Sequence, residues 1–506
     1  QKTAYEIASC LVGSEMCIRD RGRDALTTNT VGDRNVAVGY GSLKTMDPSS
    51  NADTMNVGVG YAALEATTTG VRNTGVGGYV MQQNTTGGYS CAFGEQALTA
   101  NTTGDLNTAL GYQALKANTT GANQVAIGAY ALDGATTDGG NSVAIGYLAA
   151  SGVVASPVVA VGYRALFANT TGASNTAVGY DAMITNTTGS YNTALGAFAL
   201  DASNTAYNTA IGYKALSLLS TGSQNTAVGF AALEDCTTGN YNTAVGIEAG
   251  RNVTTGSSNT IVGRNAMDAA VTGDANTAIG VKALRLTTSG DDNTAVGYQA
   301  MDANTTGNYN TAVGYESLYT NTQGDRNTAL GYQALYTMNP SGNADSYNTG
   351  VGYHAGSNLT TGQRLTAVGG QAADAVTTAT DITAVGYAAY SGGTTASHNT
   401  AVGAYSMDAA VTGDYNTAIG RDGLGALTSG AYCSGLGAYA LWSNTGGNYN
   451  TAVGGNAMFD NTTGNYNTAV GHEALSNNTT ASYNTAIGRH SMYSNTTGND
   501  NTAIGY

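Results

Sequence analysis

The sequence predicts an all-β fold, a parallel β-solenoid (β-roll) of about 28 coils with a 17-residue repeat, and three observations carry that prediction. The first is a period. The glycine that closes NTAVG returns at Gly179, Gly196, Gly212, Gly229, Gly246 and onward, 28 times between Gly39 and Gly505, usually 17 residues apart. A short fixed period marks stacked supersecondary units, none of which buries its apolar face alone. The second is composition within the unit: two glycines and a run of Asn and Thr in every 17 residues exclude a helix. The third is an alternation of side chains just before the glycine, the mark of a short strand.

Gln1–Asp20 stands apart from this pattern. QKTAYEI reads as an in-frame translation of a common short-read sequencing primer, and LVGSEMCIRD (Leu11–Asp20) as the transposon end of the same adapter. Glu6 and Glu15 interrupt the segment and it has no continuous apolar stretch, so it is not read as a signal peptide. Residues 21–34 read as a lead-in with an incomplete first coil. Residues 35–506 read as one continuous array that stops in mid-coil, with both native termini expected to be missing.

The coil is written NTAVGYxALxxNTTGxY, with positions numbered from 1 at the first Asn to 17 at the last Tyr; Asn175–Tyr191 is the reference copy. Positions 2 and 4 are both apolar in several coils (Val36 and Val38, Val125 and Ile127, Val143 and Ile145). The expectation is a strand with 2 and 4 inward and the alanine of position 3 outward. Inward threonines at position 2 are expected to pair their hydroxyls from coil to coil. The glycine of position 5 permits a sharp corner. A second extended segment is expected around positions 8 and 9, as at Leu115, Met183 and Met301. NTTG then closes the coil, with Asn and Gly supplying left-handed backbone.

Irregular spacings fit the same scheme. Intervals of 21 precede Gly60 and Gly352, where the related segments TMDPSSNADTMN and TMNPSGNADSYN insert four residues around Pro48 and Pro340. Intervals of 18 and 16 flank Gly146, next to the less regular Leu148–Val158, and another 16 ends at Gly212; these are expected to be bulges. At one strand spacing per coil, the array predicts a rod of roughly 130 Å.

Only 10% of the residues are charged, and the formal net charge is −15. Without Gln1–Asp20, 16 basic residues face 30 acidic ones, a net −14. An acidic chain without clusters of Lys and Arg argues against nucleic acid or an anionic membrane as partner. No apolar run is long enough for a transmembrane helix. Cys91, Cys236 and Cys433 occupy different coil positions and form neither a disulfide framework nor a metal set.

NSVAIG at Asn141–Gly146, NQVAIG at Asn123–Gly128 and NVAVG at Asn35–Gly39 resemble the head repeats of trimeric autotransporter adhesins, the YadA-like heads. The commoner NTAVGYxAL…NTTG form is similar to repeats of long phage tail-fibre proteins. The resemblance spans residues 35–506. It implies a left-handed roll, three chains side by side as a homotrimer, and an extracellular place on a bacterial surface or a virion tail. In both families the coil is a scaffold. The adhesin coil is usually a few residues shorter than this one.

No catalytic, cofactor-binding or metal-binding residue set emerges, and no enzyme activity is expected. His354, His398, His472 and His490 fall at positions 7, 17, 6 and 7 and read as exposed substitutions. Carboxylates such as Asp105, Asp274, Asp325 and Asp414 follow the turn glycine without the every-coil regularity of a calcium solenoid. NTT is also a glycosylation sequon, as at Asn84 and Asn186, but turn formation accounts for it.

Tyrosine is the richest signal. Position 6 (Tyr112, Tyr163, Tyr180, Tyr213, Tyr298, Tyr315, Tyr332) and position 17 (Tyr191, Tyr241, Tyr309, Tyr415, Tyr449, Tyr466, Tyr483) predict stacked ladders. The function expected is a non-enzymatic structural or adhesive fibre, the repetitive head or shaft of a surface adhesin or phage tail fibre. It would present or form a surface for a host-cell receptor or glycan. The alternatives are an ice-binding solenoid and a glycan-binding or glycan-degrading tailspike. Ice binding ranks low on this reading, because inward threonines at position 2 and the adjacent pair at 13 and 14 make no outward Thr-x-Thr face.

Overall fold

The computed structural model describes residues 19–48, 52–134, 140–153, 157–342 and 345–506. Residues 1–18 of the adapter-like segment, 49–51 and 343–344 of the two insertions, and 154–156 of the less regular stretch lie outside the described residues. The chain divides into two units, Gln1–Asn242 and Thr243–Tyr506.

Both units are parallel β-solenoids with the predicted 17-residue coil, and the described residues contain no helix. In the first unit the ladder runs from Arg19–Arg21 and Val36–Val38 to Thr226–Val228, one short strand per coil. Equivalent positions lie opposite one another: Thr176 faces Thr193, Ala177 faces Ala194 and Val178 faces Leu195. The second unit repeats the arrangement from Thr243–Val245 to Thr502–Ile504, with Ala312 opposite Ala329 and Val313 opposite Leu330. The lead-in already follows the pattern. Arg19–Arg21 pairs with Val36–Val38, Gly22 takes the corner, and Ala25 and Leu26 are buried at positions 8 and 9.

The facing of the strand is the reverse of the expectation. Positions 1 and 3 point inward and positions 2 and 4 outward: Asn175 and Ala177 are buried, whereas Thr176 and Val178 are half-buried. The coil is one side chain thick, which decides the matter. Position 3 meets positions 8 and 9 directly; where it is Gly350, even a methyl group would lie 2.8 Å from Leu335 Cγ. Position 3 is thus limited by the bulk at position 9: alanine is usual opposite Leu or Met, and the larger Ile261 is buried there beside a coil whose position 9 is Gly250. The hydroxyl pairing expected of inward threonines therefore has no place. The hydroxyls that do bridge coils belong to position 13, as where Thr170 Oγ1 donates to the Thr187 carbonyl at 3.0 Å.

The second extended segment is likewise absent, and positions 6 to 11 form turns. Their backbone is left-handed at positions 7 and 9, as at Asp181 (φ 53°) and Met183 (φ 53°), and again at 17, as at Tyr191 (φ 60°). A single non-glycine residue in this region costs on the order of 1 kcal/mol. Hydrogen bonds between coils offset it: Asp181 N–H donates to Tyr163 O at 3.0 Å, Met183 to Ala199 O at 3.0 Å, and Tyr191 to Ala173 O at 2.9 Å.

The corner glycine of position 5 is required twice over. Its φ lies between 119° at Gly488 and 146° at Gly179, and a Cβ on Gly314 would sit 2.3 Å from the Gly331 carbonyl of the next coil. The NTTG turn works differently from the expectation, since neither Asn186 nor Gly189 has a positive φ. Gly189 is glycine for space, because a Cβ would lie 2.2 Å from Thr205 O and 2.5 Å from Asn186 Oδ1. The two threonines put three successive N–H groups on one acceptor: Thr170, Thr171 and Gly172 all donate to the Thr187 carbonyl.

The interior has a polar side and an apolar side. Asn at position 1 uses both ends of its carboxamide. Asn175 Nδ2 donates to Gly189 O at 2.7 Å, and its Oδ1 accepts from Asn192 N–H at 2.9 Å. Asn at position 12 forms a second ladder, Asn118 to Asn101 to Asn84. Ala at 3 and 8 and Leu or Met at 9 make the apolar side, buried throughout. Two position-12 threonines, Thr67 and Thr287, bury a hydroxyl without a partner, since a hydroxyl is too short to continue the ladder.

The short and long coils do not bulge the sheet. Val125 stays opposite Val143, Val143 opposite Val159, and Thr193 opposite Thr209, so the turns absorb the length changes. The two insertions share one clasp. Arg34 Nη1 meets Asp53 Oδ2 at 2.9 Å beside the Gly32–Asp33/Ala52–Asp53 strand pair; Arg326 meets Asp345 beside the Asp325–Asp345 bridge.

Candidate functional site: aromatic ladders and an outward sheet face

A 17-residue register stacks like on like, and the surface is built from that rule. Opposite charges occupy equal positions of successive coils. Arg164 binds Asp181 through two hydrogen bonds (2.9 and 2.6 Å) at position 7, Arg285 binds Asp302 at position 10 (2.8 Å), and Arg364 binds Asp381 at position 17. The Arg364 guanidinium holds the Asp381 carboxyl below its usual range, and His398 Nδ1 lies 3.4 Å from the same carboxylate. The carboxylates after the turn glycine are structural. Asp105, Asp274, Asp325 and Asp414 accept the N–H of Gly88, Ser257, Asn308 and Ser397, one coil earlier, at 2.6 to 2.8 Å.

The predicted aromatic ladders form in runs: among the described residues Tyr241 and Tyr309 stack on no other ring, and Tyr309 meets the Arg326 guanidinium instead. In the first unit the run Tyr112, Tyr130, Tyr147, Tyr163, Tyr180, Phe198, Tyr213, Phe230 has neighbouring centroids 5.0 to 6.0 Å apart. It mixes position 6 with position 7, and each change of position turns a parallel stack into an edge contact, as between Tyr180 and Phe198 (63°). In the second unit Tyr298, Tyr315, Tyr332 and Tyr353 stack at 5.1 to 5.4 Å. The position-17 ladder is the more regular: His398, Tyr415, Tyr432, Tyr449, Tyr466 and Tyr483 stack at 4.6 to 5.1 Å with planes within 10°. These tyrosines stay about half exposed, 47% at Tyr449 and 58% at Tyr483.

Between these aromatic positions in sequence lies the outward face of the strands. It carries a row of threonines at position 2 and a row of Val, Ile or Leu at position 4, with Ile127, Ile145, Leu195, Ile211, Leu330, Ile419, Leu436 and Ile487 more than a third exposed. Sequence reading missed this face because it put the small alanine outside.

The structure also brings together groups that read as scattered. His472, Glu473 and His490 converge from adjacent coils, with one ligand atom of each within 4.8 Å of the others. Their coil positions, 6, 7 and 7, were the available signal. Near Phe198 and Tyr213, a shallow pocket holds Asp201, Lys214 and Glu234, and burial pushes the Asp201 carboxyl up to about 6. Among the described residues Cys91, Cys236 and Cys433 are free thiols, and burial raises the pKa of each. No helix among the described residues is long and apolar enough to cross a membrane.

No protein-family model matches the chain, and neither does any curated protein.

Proposed function

We propose that the chain is the repetitive head or shaft of a non-enzymatic adhesive fibre, a bacterial surface adhesin or a phage tail fibre working outside the cell. One observation supports this reading above the others: the outward face of Thr and Val/Ile/Leu rows, continued coil after coil and uncovered in the single chain. Apolar rows of this kind gain about 25 cal/mol for each Å2 they bury, so three chains associating through them form a stable homotrimer. The half-exposed tyrosine ladders then serve as the contact surface for a host-cell glycan or receptor, since stacked rings bind sugar faces without needing charge.

Light scattering with negative-stain microscopy tests the assembly, and glycan-array binding tests the contact surface. The expected result is an elongated trimer that resists heating. A monomer at micromolar concentration would remove the assembly part of the proposal.

Ice binding is a second reading, and the outward threonine row favours it. The inward facing that ranked it low is not the facing observed. Thermal hysteresis in dilute solution separates the two readings.

A further inference from the structure

We infer that His472, Glu473 and His490 form a binding site for a divalent transition-metal ion of the zinc class, which staples two adjacent coils of the second unit. His472 and Glu473 follow the corner glycine Gly471, and His490 follows Gly488 one coil later. The backbones of the two coils are already joined at this point, because His490 N–H donates to the His472 carbonyl at 3.1 Å. Glu473 and His490 both have left-handed backbone (φ 56° and 58°), so the register at position 7 stacks one side chain on the other.

The side chains supply a matching donor set. His472 Nδ1 lies 3.7 Å from Glu473 Oε2, and His490 Nε2 is in hydrogen-bond contact with that same oxygen. Zinc binds imidazole nitrogen and carboxylate oxygen at about 2.0–2.2 Å, which separates tetrahedral ligand atoms by about 3.3 Å. The three donors already lie within 4.8 Å of one another, so an ion has to draw them together by no more than about 1.5 Å. Admitting an ion requires the Glu473 carboxylate to move slightly off His490, exchanging one hydrogen bond for three coordinate bonds. Two imidazoles and one carboxylate suit zinc, copper, nickel or ferrous iron better than calcium or magnesium, which prefer all-oxygen sets. Three protein ligands leave at least one coordination position for water.

The other histidines lack such a set. His354 stacks on Tyr332 and Tyr353, and His398 shares Asp381 with Arg364. They serve as internal controls.

The test is a Zn2+ titration by calorimetry at pH 7.5, with Co2+ absorption as a second readout, on the whole chain. One ion per chain is expected. His472→Ala and His490→Ala should each weaken binding at least tenfold, whereas His354→Ala and His398→Ala leave it unchanged. Affinity should fall on acidification, because protons compete with the ion for the imidazole nitrogens. His472 and His490 are exposed or half-buried, so the variants are expected to fold, and an unchanged circular dichroism spectrum checks this. Equal titration of the wild-type chain and the His472→Ala/His490→Ala double variant would overturn the inference. So would loss of binding in the His354 or His398 variants.

Discussion

Two stretches of the second unit build the same coil from different interiors. From Asn293 to Asn327 the polar side is an unbroken ladder at position 1, with Asn310 Oδ1 accepting from Asn327 N–H at 2.9 Å and Asn310 Nδ2 donating to Gly324 O at 2.8 Å. From Leu359 to Ile382 the equivalent sites at positions 12 and 1 hold Leu359, Leu365, Val376 and Ile382, all buried. The strands do not register the change: Thr366–Val368 pairs with Thr383–Val385 as elsewhere. Volume does register it. Position 9, usually Leu or Met, shrinks to Gly356 and Ala373 here, and a Cβ on Gly356 would lie 2.9 Å from Leu365 Cδ2. Apolar bulk has moved across the interior at nearly constant total. Carboxamide ladders and hydrocarbon are thus interchangeable fillings, provided they are exchanged as a block.

If that comparison holds, a carboxamide exchanged alone is costly. Asn310→Leu leaves the Asn327 N–H buried without a partner and takes one of two donors from the Gly324 carbonyl, which keeps Asn321 Nδ2 at 3.0 Å, and should cost about 3 kcal/mol in urea denaturation. A loss below about 1 kcal/mol would show that the ladder contributes little. Gly356→Leu is next. It restores the usual position-9 residue but overfills the stretch, and about 2–3 kcal/mol is expected. Adding Leu365→Asn to it should recover most of that loss, and a purely additive double variant would count against volume exchange. Tyr432→Ala lies outside both interiors, in the exposed ladder between Tyr415 and Tyr449. It should cost about 1 kcal/mol or less while reducing the near-ultraviolet dichroism.

The candidate site was legible in part. The tyrosine positions alone predicted ladders, and stacking confirms them at both positions. The sheet face was not legible, because the sequence pattern Val-Ala-Val shows which residues alternate and not which alternate inward. The His472–Glu473–His490 cluster was hidden for a related reason. Positions 6 and 7 look like neighbours on one coil, and only the left-handed backbone at position 7 sets Glu473 beneath His490.

Period, parallel β architecture and the place of the corner glycine follow from the sequence by itself, because a 17-residue repeat with two glycines admits hydrogen-bonded stacking of coils and no helix. Facing, and the left-handed turns at positions 7, 9 and 17, were settled only by tertiary structure. Leu, Met and Tyr have no intrinsic preference for positive φ. They adopt it here because bonds to the coils before and after outweigh the local cost, and facing follows from how little room a coil one side chain thick leaves at its centre.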